Sequence, residues 1–498
     1  MMIPSMLHTR AEQARRSDGD CDALIADLNL ERLFQAMAAG DAFLHRVARQ
    51  EMTQGADLDA EGILFRQRVL ADVMRHAEVF QDAYGCLTSF LDSYRSYQKS
   101  SLPSFSTFIA ATSVLKDTVA LMRILFDGVQ RLKDILRPLD SAQCSAGVAG
   151  FLQAFFGFFH EDFLAGAYGQ MEELERACGD SYALITAGVG GGLKANQYVM
   201  QSISQSDGKK RNGGPSREIA LGSIGIQAQA GALRDAGLLQ IARMLREVND
   251  KTVKCLEGIR YDFGFCVGCI RLCRALRSVG VPVSFPRPLG IGEPKFAFQN
   301  LMDGCLALNN QARPVGNSMD MEDFRFIMVT GANQGGKSTF LRSVGAAQLM
   351  MQCGMFVCAD YYIAGCCSEV FTHFCHSEAQ DHNQGRLHEE LQRIDGIVQR
   401  CGRDALVLMN ETFSSTSEHE ASCLAEEIVL AFHELGIRTI YVTHFYEFAK
   451  NMERKDLPGV HFFAAQRQAD GTRRYSIEPA LPQRTSFGMD IFDQVFSG

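Results

Sequence analysis

The sequence predicts a multidomain chain in which an all-α region with a small insertion is followed by an α/β domain. Three patterns support this prediction. Apolar residues recur at helical spacing from position 19 to about 180, glycines and serines with short alternating runs replace that pattern over 183–232, and a glycine-rich segment later separates a strand-like run from a helix-like run. We expect an N-terminal tail at 1–18, a helical part at 19–182, the insertion at 183–232, a second helical part at 233–279 and the α/β domain at 280–498.

The helical region begins with apolar residues such as Leu24 and Leu28 and continues through Phe151 and Phe155. Helical spacing returns from Leu233 to Leu276. Four prolines within 280–294 then mark the passage to the α/β domain, because proline ends regular helices.

The segment 331–338 fits the phosphate-binding pattern G-x-x-x-x-G-K-[ST] at every fixed position. Phe324–Thr330 before it has the apolar character of a buried strand, and Thr339–Gln352 after it has helical spacing. Small glycines let backbone N–H groups approach phosphates, and a helix N-terminus attracts anions. We therefore expect a bound nucleoside triphosphate, with Lys337 at the β and γ phosphates and Ser338 at Mg²⁺. The residues predicted to form this loop are Gly331, Ala332, Asn333, Gln334, Gly335, Gly336, Lys337, Ser338 and Thr339.

Two further strand-like runs end in polar side chains. Ala405–Met409 is followed by Asn410 and Glu411, and Arg438–Thr443 is followed by His444. Carboxyl ends of parallel strands face one crevice, so these side chains are expected beside the phosphates. Glu411 is predicted to orient or deprotonate a water and, with Asn410, to help hold the metal through water. His444 is predicted to contact the γ-phosphate.

These segments together resemble the MutS proteins of DNA mismatch repair and their relatives, whose ATPase belongs to the ABC class. The resemblance is carried by Thr330–Thr339, Leu406–Glu411, Thr416–Ser417 and Val442–Phe445, in matching order and spacing. Val315–Asn317 is similar to the family's segment beside the nucleotide base, which implies that Asn317 contacts the nucleotide. Gly354–Val357 is similar to the strand that follows the loop helix.

The resemblance implies an all-α lever domain with a clamp-like insertion, joined to an ABC-type P-loop ATPase domain. It also implies a homodimer with ATP and Mg²⁺ between the protomers, where a signature segment of one copy completes the site of the other. Gly385 and Arg386 occupy the signature positions. ATP binding would close the dimer, hydrolysis would reopen it, and the levers would move the clamp around DNA.

The sequence departs from the family pattern at three places. Asn410 stands where the family usually has Asp, which removes a charge from the surroundings of the metal. Gly385 and Arg386 stand where the family has Ser and Thr. Mismatch-reading members carry an N-terminal reading domain and a connector domain before the helical core, and we expect this chain to lack both.

DNA contact, where it occurs, is expected to be local. The formal net charge of −9 argues against a generally basic surface. Residues 208–217 concentrate four cations, Lys209, Lys210, Arg211 and Arg217, in the predicted clamp. Such a loop would neutralise phosphates of duplex DNA without reading its bases. A solvated linker without a partner is the alternative interpretation.

We expect a cytoplasmic protein without a membrane-spanning segment. No run approaches the roughly 20 apolar residues that span a bilayer, and the first residues lack the apolar run of a secretory signal. Sixteen cysteines then serve as small buried hydrophobes. Cys266, Cys269 and Cys273 share one apolar helix face, so packing is favoured over metal binding.

The sequence thus predicts an ATPase that clamps DNA in mismatch repair or a related process. An ATP-binding switch that hydrolyses weakly or not at all and acts on a protein partner is the alternative, favoured by Asn410, Gly385 and the acidic charge. A kinase is a weaker possibility, because Glu411, Thr416 and His444 would have no role in it.

Overall fold

The computed structural model describes residues 3–7, 21–54, 59–101, 110–178, 181–189, 195–205, 224–331, 334–375, 385–467 and 473–482. The chain divides into two compact units. The first comprises Met1–Met6, Glu78–Cys144 and Val148–Phe263, and the second comprises Leu7–Ala77, Ser145–Gly147 and Gly264–Gly498.

The elements up to residue 278 are almost all helical. In chain order they are α1 (Asp22–Leu28), α2 (Glu31–Ala38), α3 (Ala42–Gln54), α4 (Ala60–Arg75), α5 (Ala77–Ser100), α6 (Ala111–Leu136), α7 (Ala146–Phe158), α8 (Glu161–Ala177), β1 (Ser181–Val189), β2 (Ala195–Gln205) and α9 (Ile224–Ser278).

Strands and helices alternate in the remainder. In chain order they are β3 (Arg287–Leu289), β4 (Phe296–Leu301), α10 (Gly304–Asn310), β5 (Asn317–Met321), β6 (Phe326–Thr330), α11 (Lys337–Gln352), β7 (Tyr361–Gly365), β8 (Val370–Phe374), α12 (Arg386–Val398), β9 (Leu406–Asn410), α13 (Glu418–Glu434), β10 (Arg438–Val442), α14 (Tyr446–Arg454), β11 (Val460–Arg467) and β12 (Arg473–Pro479). The predicted order, a helical region followed by an α/β sheet domain, is confirmed.

The first unit is built around aromatic packing. The ring of Phe263 meets the rings of Phe80 and Phe151, each at a centroid distance of 5.4 Å. Edge-to-face contacts of this kind add about 0.5–1.5 kcal/mol each to the burial of the rings. The helical spacing of Phe151 and Phe155 therefore reflects a buried face, as both side chains are almost fully enclosed.

The predicted insertion contains an antiparallel strand pair. β1 pairs with β2, and the pairing shifts register between Leu184 and Ile185. The long helix α9 begins at Ile224, ahead of the expected return of helix at Leu233. The four cations at Lys209, Lys210, Arg211 and Arg217 lie outside the described residues, between β2 and α9.

In the described part of the chain, the second unit contains two sheets. The larger has the strand order β12-β11-β6-β10-β9-β8, and the smaller has the order β3-β7-β4-β5. In the larger sheet β11, β6, β10, β9 and β8 pair in parallel, and β12 is antiparallel to β11. All residues of β6, β9 and β10 are buried, which explains why their sequences are nearly continuous apolar runs.

A glycine brings the helix α11 close to the sheet. A Cβ atom at Gly345 would lie 2.7 Å from methyl carbons of both Leu408 in β9 and Leu28 in α1. No larger side chain fits there without displacing one of them, so the position of α11 against β9 depends on this residue.

One expected strand is wrong. Gly354–Val357 contains no ladder strand: Gly354 is left-handed with φ 72°, and Val357 makes one isolated antiparallel bridge with Ser284. The strand after α11 begins only at Tyr361.

Cys266, Cys269 and Cys273 are buried on α9, so the predicted packing role is confirmed. Burial raises the pKa of the Cys269 thiol well above its usual range and raises the pKa of Cys353 to about 12. Within the described ranges, no group of three or more His, Cys, Asp or Glu side chains could hold a metal ion. Among the same residues, every helix is too short or too polar to cross a bilayer.

A buried ion pair ties α3 to α4. Arg66 Nη2 lies 2.6 Å from Glu51 Oε2, and the two side chains are 1% and 6% exposed. The guanidinium also stacks over the ring of Phe265 at 5.0 Å. Such a pair is costly to break, because removing one charge leaves the other buried without compensation.

Replacement of Glu51 by Gln should therefore destabilise the second unit by about 3 kcal/mol. Asp323→Asn is the matched control, since it removes the carboxylate of the exposed Asp323–Arg325 pair and should cost no more than about 1 kcal/mol. Differential scanning calorimetry would measure both variants. Equal unfolding temperatures for Glu51→Gln and the wild type would contradict the importance of this pair.

Candidate functional site

The glycine-rich loop lies between β6 and α11, as the sequence predicts. Gly331 and Gly336 have φ values of 114° and 91°, in the region that favours glycine. A Cβ atom at Gly331 would lie only 3.0 Å from the backbone nitrogen of Ala465 in β11. Gln334 is also left-handed, with φ 59°. Ala332 and Asn333 lie outside the described residues.

The loop ends in a helix N-terminus. Gly336 caps α11, and the helix starts at Lys337. Backbone N–H groups of a first helical turn have no partner within the helix, and the helix dipole adds positive potential there. This end of α11 is therefore suited to an anion.

Lys337 is held inside the loop. Its Nζ donates a hydrogen bond of 2.8 Å to the carbonyl oxygen of Gly331 and lies 3.7 Å from Glu411 Oε1. Burial lowers the pKa of Lys337, and the negative charge of Glu411 opposes that shift. Only 5% of the side chain is exposed, so few water molecules can form hydrogen bonds with the ammonium group.

The ends of β9 and β10 meet beside the loop. The Ser338 hydroxyl donates a hydrogen bond of 2.7 Å to Asn410 Oδ1 at the end of β9. The backbone N–H of Glu411 donates to the carbonyl oxygen of Val442, the last residue of β10, at 2.9 Å. The three predicted strand ends therefore come together at one edge of the sheet.

Glu411 forms a hydrogen-bonded pair with His444, between Oε2 and Nδ1. This hydrogen bond raises the pKa of His444 above its ordinary value of 6.5, although partial burial and the nearby Lys337 act in the opposite direction. Glu411 itself has a left-handed backbone with φ 53°, which is uncommon for a residue with a side chain.

These groups face one cavity of about 830 Å³, a volume in the range of small-molecule sites. Asn317, Gln334–Thr339, Glu411 and His444 were predicted for the site and line this cavity. Gly331 and Asn410 contact its lining residues through the bonds to Lys337 and Ser338. Val315, from the segment predicted to lie beside the nucleotide base, also lines the cavity. Other lining residues were not predicted, namely Leu306, Asn310, Arg313, Pro314, Ser414 and Tyr475.

The side chain of Asn317 makes a hydrogen bond within the wall of the cavity. It is 7% exposed, and its Oδ1 accepts a hydrogen bond of 2.8 Å from the backbone N–H of Ile477 in β12. This bond fastens β12 beside the cavity and brings Tyr475 to it. Tyr475 is 46% exposed, and its carbonyl oxygen lies 3.4 Å from the ideal Cβ position of Gly336. Only the proximity of Val315–Asn317 in sequence could have indicated Arg313 and Pro314, and nothing indicated Tyr475.

Gly385 and Arg386 lie at the start of α12. Gly385 is the residue before the helix, Arg386 is its first residue, and both are exposed. Neither lines the cavity described above. The structure thus presents them at a helix N-terminus without joining them to the site of the same chain.

The donor set beside the loop consists of oxygen atoms. The hydroxyl of Ser338 is bonded to the amide oxygen of Asn410, and the carboxylate of Glu411 belongs to the same cavity lining as Ser338. Oxygen donors of this kind fit a hard cation such as Mg²⁺, which binds through few protein ligands and substrate phosphates.

Family comparisons agree with this arrangement. Residues 327–496 match the family model of MutS domain V, and residues 58–279 match the family model of the MutS2 N-terminal domain. The first match covers the loop, β9 and β10.

Individual relatives match over part of the chain. A DNA mismatch repair protein MutS from Halothermothrix orenii is 30% identical over 181 residues, which are 34% of this chain and 20% of the relative. The DNA mismatch repair protein spellchecker 1 from Drosophila melanogaster is 28% identical over 223 residues, which are 44% of this chain and 24% of the relative. The match therefore spans about a fifth to a quarter of these relatives. With both family models and these relatives in agreement, the chain belongs to the MutS family.

Proposed function

We propose that this protein is an ATP-dependent DNA-binding protein of the MutS type, which binds and hydrolyses ATP and couples this to the clamping of DNA. The observation that carries the proposal is the convergence of Lys337, Glu411 and His444 on one cavity at the glycine-rich loop. Lys337 starts α11, Glu411 follows β9 and His444 follows β10, and each has a chemical role in nucleotide hydrolysis. Relatives named as DNA mismatch repair proteins support the DNA part of the proposal.

The loop and Lys337 would bind the phosphates. The ammonium group now contacts a carbonyl oxygen and approaches a carboxylate, so phosphate oxygens would offer it stronger partners. The N-terminus of α11 and the left-handed glycines leave backbone N–H groups for the same phosphates. Tyr475 lines the same cavity beside Gly336 and is 46% exposed, so its ring is available to the rest of the nucleotide.

Glu411 would act on the attacking water. Its carboxylate is 21% exposed and is oriented by His444, so it is held without being sealed from the cavity. A carboxylate in this position can accept the proton of a water as the water attacks phosphorus. His444 stays close enough to hydrogen-bond to the γ-phosphate.

Mg²⁺ would be held by Ser338, with Asn410 and Glu411 acting through water. The ion supplies neutralisation of the negative charge on the phosphates. Asn410 accepts a hydrogen bond from Ser338 and so orients that hydroxyl, but it brings no charge. We therefore infer a weaker hold on the metal than a carboxylate at this position would give.

A second copy of the chain would complete the site in a homodimer. Gly385 and Arg386 lie exposed at the N-terminus of α12, where backbone N–H groups and a cation suit the γ-phosphate of a partner's ATP. ATP would then close the dimer and hydrolysis would reopen it. The long helix α9 begins at Ile224, shortly after the basic segment at 208–217, and would transmit this change to the cations that bind DNA.

The alternative is an ATP-binding switch that hydrolyses weakly or not at all and acts on a protein partner. The neutral Asn410 at the metal and the net charge of −9 favour it. The two functions differ in turnover and in DNA binding, and both can be measured.

Lys337→Ala should weaken ATP binding by about 10- to 100-fold, because a charged hydrogen bond to the phosphates is lost. Glu411→Gln should keep ATP binding and lower kcat by about 100- to 10,000-fold, because the base is lost while the shape is kept. Isothermal calorimetry and phosphate release would measure these effects. Lys295→Ala is the control, since Lys295 pairs with Asp320 and Glu322 outside the cavity. Wild-type protein that binds ATP without turnover would favour the switch.

Asn410→Asp should lower the Mg²⁺ concentration needed for half-maximal turnover by about tenfold, because a carboxylate beside Ser338 adds charge to the surroundings of the metal. Asn410→Ala, which removes the partner of the Ser338 hydroxyl, should raise that concentration. Titration of the hydrolysis rate with Mg²⁺ would measure both. A requirement that is the same in all three proteins would contradict the role of Asn410.

The salt dependence of DNA binding should reveal the cations of the basic segment. Changing Lys209, Lys210, Arg211 and Arg217 to Gln should reduce the slope of log K against log salt by about 0.9 for each cation that contacts a phosphate. Fluorescence anisotropy with homoduplex, mismatched and branched DNA would measure the slope, with and without ATP. The control has the same charge change at four exposed cations of the first unit, Lys99, Lys116, Arg137 and Arg176.

Lys337→Ala should abolish any change in DNA retention that ATP causes in the wild type. Failure of the wild type to bind these DNAs at low salt would favour a protein partner instead.

A further inference from the structure

The turn that carries Glu411 has an unfavourable backbone. Glu411 and Phe413 both have left-handed φ values, 53° and 66°, and neither is glycine. Such conformations cost on the order of 1–3 kcal/mol each and persist only where the surroundings hold them. The direction of the Glu411 side chain depends on this turn, so the contacts that hold the turn bear on the chemistry.

Two elements hold the residues of the turn: β10 holds Glu411 and Thr412, and α12 holds Phe413. Glu411 N–H donates to the carbonyl oxygen of Val442 in β10 at 2.9 Å, and the Tyr441 hydroxyl donates to the carbonyl oxygen of Thr412 at 3.0 Å. Phe413 N–H donates to Glu390 Oε2 in α12 at 2.5 Å. The Phe413 ring is fully buried in the core, which leaves its backbone little freedom to move away.

Glu390 is a carboxylate with buried surroundings. It is 7% exposed, and its second oxygen, Oε1, lies 3.5 Å from the thiol of Cys375. A buried carboxylate is costly unless it accepts hydrogen bonds, and a bond from an N–H to a charged oxygen is about twice as strong as a neutral one. The short bond from Phe413 N–H is therefore a strong restraint on the turn.

The helix that carries Glu390 is itself fixed to the sheet. Arg393, one turn further along α12, donates to the carbonyl oxygen of Phe374 at 2.8 Å and to Asp27 Oδ2 at 3.0 Å. His373 lies between the helix and the turn: its Nε2 is 3.2 Å from the carbonyl oxygen of Glu390, and its Nδ1 is 3.0 Å from the Thr412 hydroxyl. Both the helix and the turn are thus anchored to the end of β8.

We propose that Glu390 is a positioning residue for ATP hydrolysis, which holds the backbone of the turn so that Glu411 faces the cavity. The inference rests on the proposed function. Glu390 does not line the cavity described above, so it acts through Glu411 and not on the nucleotide. The phosphate-binding groups lie in the loop after β6 and at the start of α11, whereas the described side-chain bonds of Glu390 go to Phe413 and Cys375.

This separation predicts a divided effect on the kinetics. Loss of the Glu390 acceptor should lower kcat by about 100-fold, the cost of a catalytic group displaced by about 1 Å. KM for ATP should stay within about twofold, because Lys337 and the loop remain in place. Glu390→Gln should fall between the wild type and Glu390→Ala, because its amide oxygen can still accept the Phe413 N–H as a weaker neutral bond.

The experiment compares wild type, Glu390→Ala, Glu390→Gln and Asp395→Asn. Asp395 is exposed on the same helix, so its change to Asn alters the same charge without touching the turn. Steady-state hydrolysis gives kcat and KM. Hydrogen exchange of the peptide over 406–416, measured without ATP, gives the second readout. About tenfold faster exchange at Phe413 is expected in Glu390→Ala and none in Asp395→Asn.

Three outcomes would contradict or redirect the positioning role of Glu390. Normal kcat in Glu390→Ala, or unaltered exchange of the peptide, would overturn the proposal. A loss of kcat accompanied by an equal loss of ATP affinity would also overturn it, because it would mean a general loss of structure. If wild-type protein shows no turnover, the proposed hydrolysis fails instead, and the exchange data alone decide whether Glu390 holds the turn.

Discussion

The parallel pairing of β6, β10 and β9 is the constraint on which the candidate site depends. Val442 in β10 pairs with Val329 in β6 on one side and with Asn410 in β9 on the other. Neighbouring strands lie about 4.8 Å apart, so this register places the residues that follow each strand within reach of one another. Lys337, Glu411 and His444 therefore meet because of backbone hydrogen bonds. A shift of one residue in either pairing would turn these side chains to opposite faces.

The electrostatics of the site follow from this geometry. A nearly buried ammonium group, a carboxylate and an imidazole lie at one edge of the sheet. Burial disfavours the charge on Lys337, and Glu411 restores part of it. Glu411 in turn shares its carboxylate between the ammonium and His444. A neutral Asn410 adds no second negative charge beside Glu411 to this arrangement. The charges of Lys337, Glu411 and His444 are thus paired with one another. A bound polyanion would replace these pairs with stronger contacts between its own oxygens and the cations.

Much of this site could be predicted from the sequence, because its parts are local patterns. The predicted strands at 324–330, 405–409 and 438–443 are present as β6, β9 and β10, with bounds that differ by one or two residues. The strand order could not be predicted: nothing in three similar apolar runs shows that β10 lies between β6 and β9. Tyr475 was missed for a related reason, since β12 reaches the cavity through an antiparallel pairing with β11 and a side-chain bond to Asn317. Gly354–Val357 was misjudged because a short apolar run can be buried without pairing as a strand, and here only Val357 makes a single isolated bridge.

Sequence patterns do not reveal long-range polar contacts, because such contacts join residues of different elements. Glu390 and Phe413 belong to different elements, and the acidic residue reads as one more polar position of an amphipathic helix. Only the fold shows that its carboxylate meets the backbone of a strained turn. The strain itself is informative, because left-handed Glu411 and Phe413 cost free energy that a glycine would not. Phe413 offsets part of that cost by burying its ring, which a glycine could not do. The turn is thus held by hydrophobic packing on one side and by the Glu390 carboxylate on the other, and together these fix the position of Glu411 more tightly than a flexible glycine turn would.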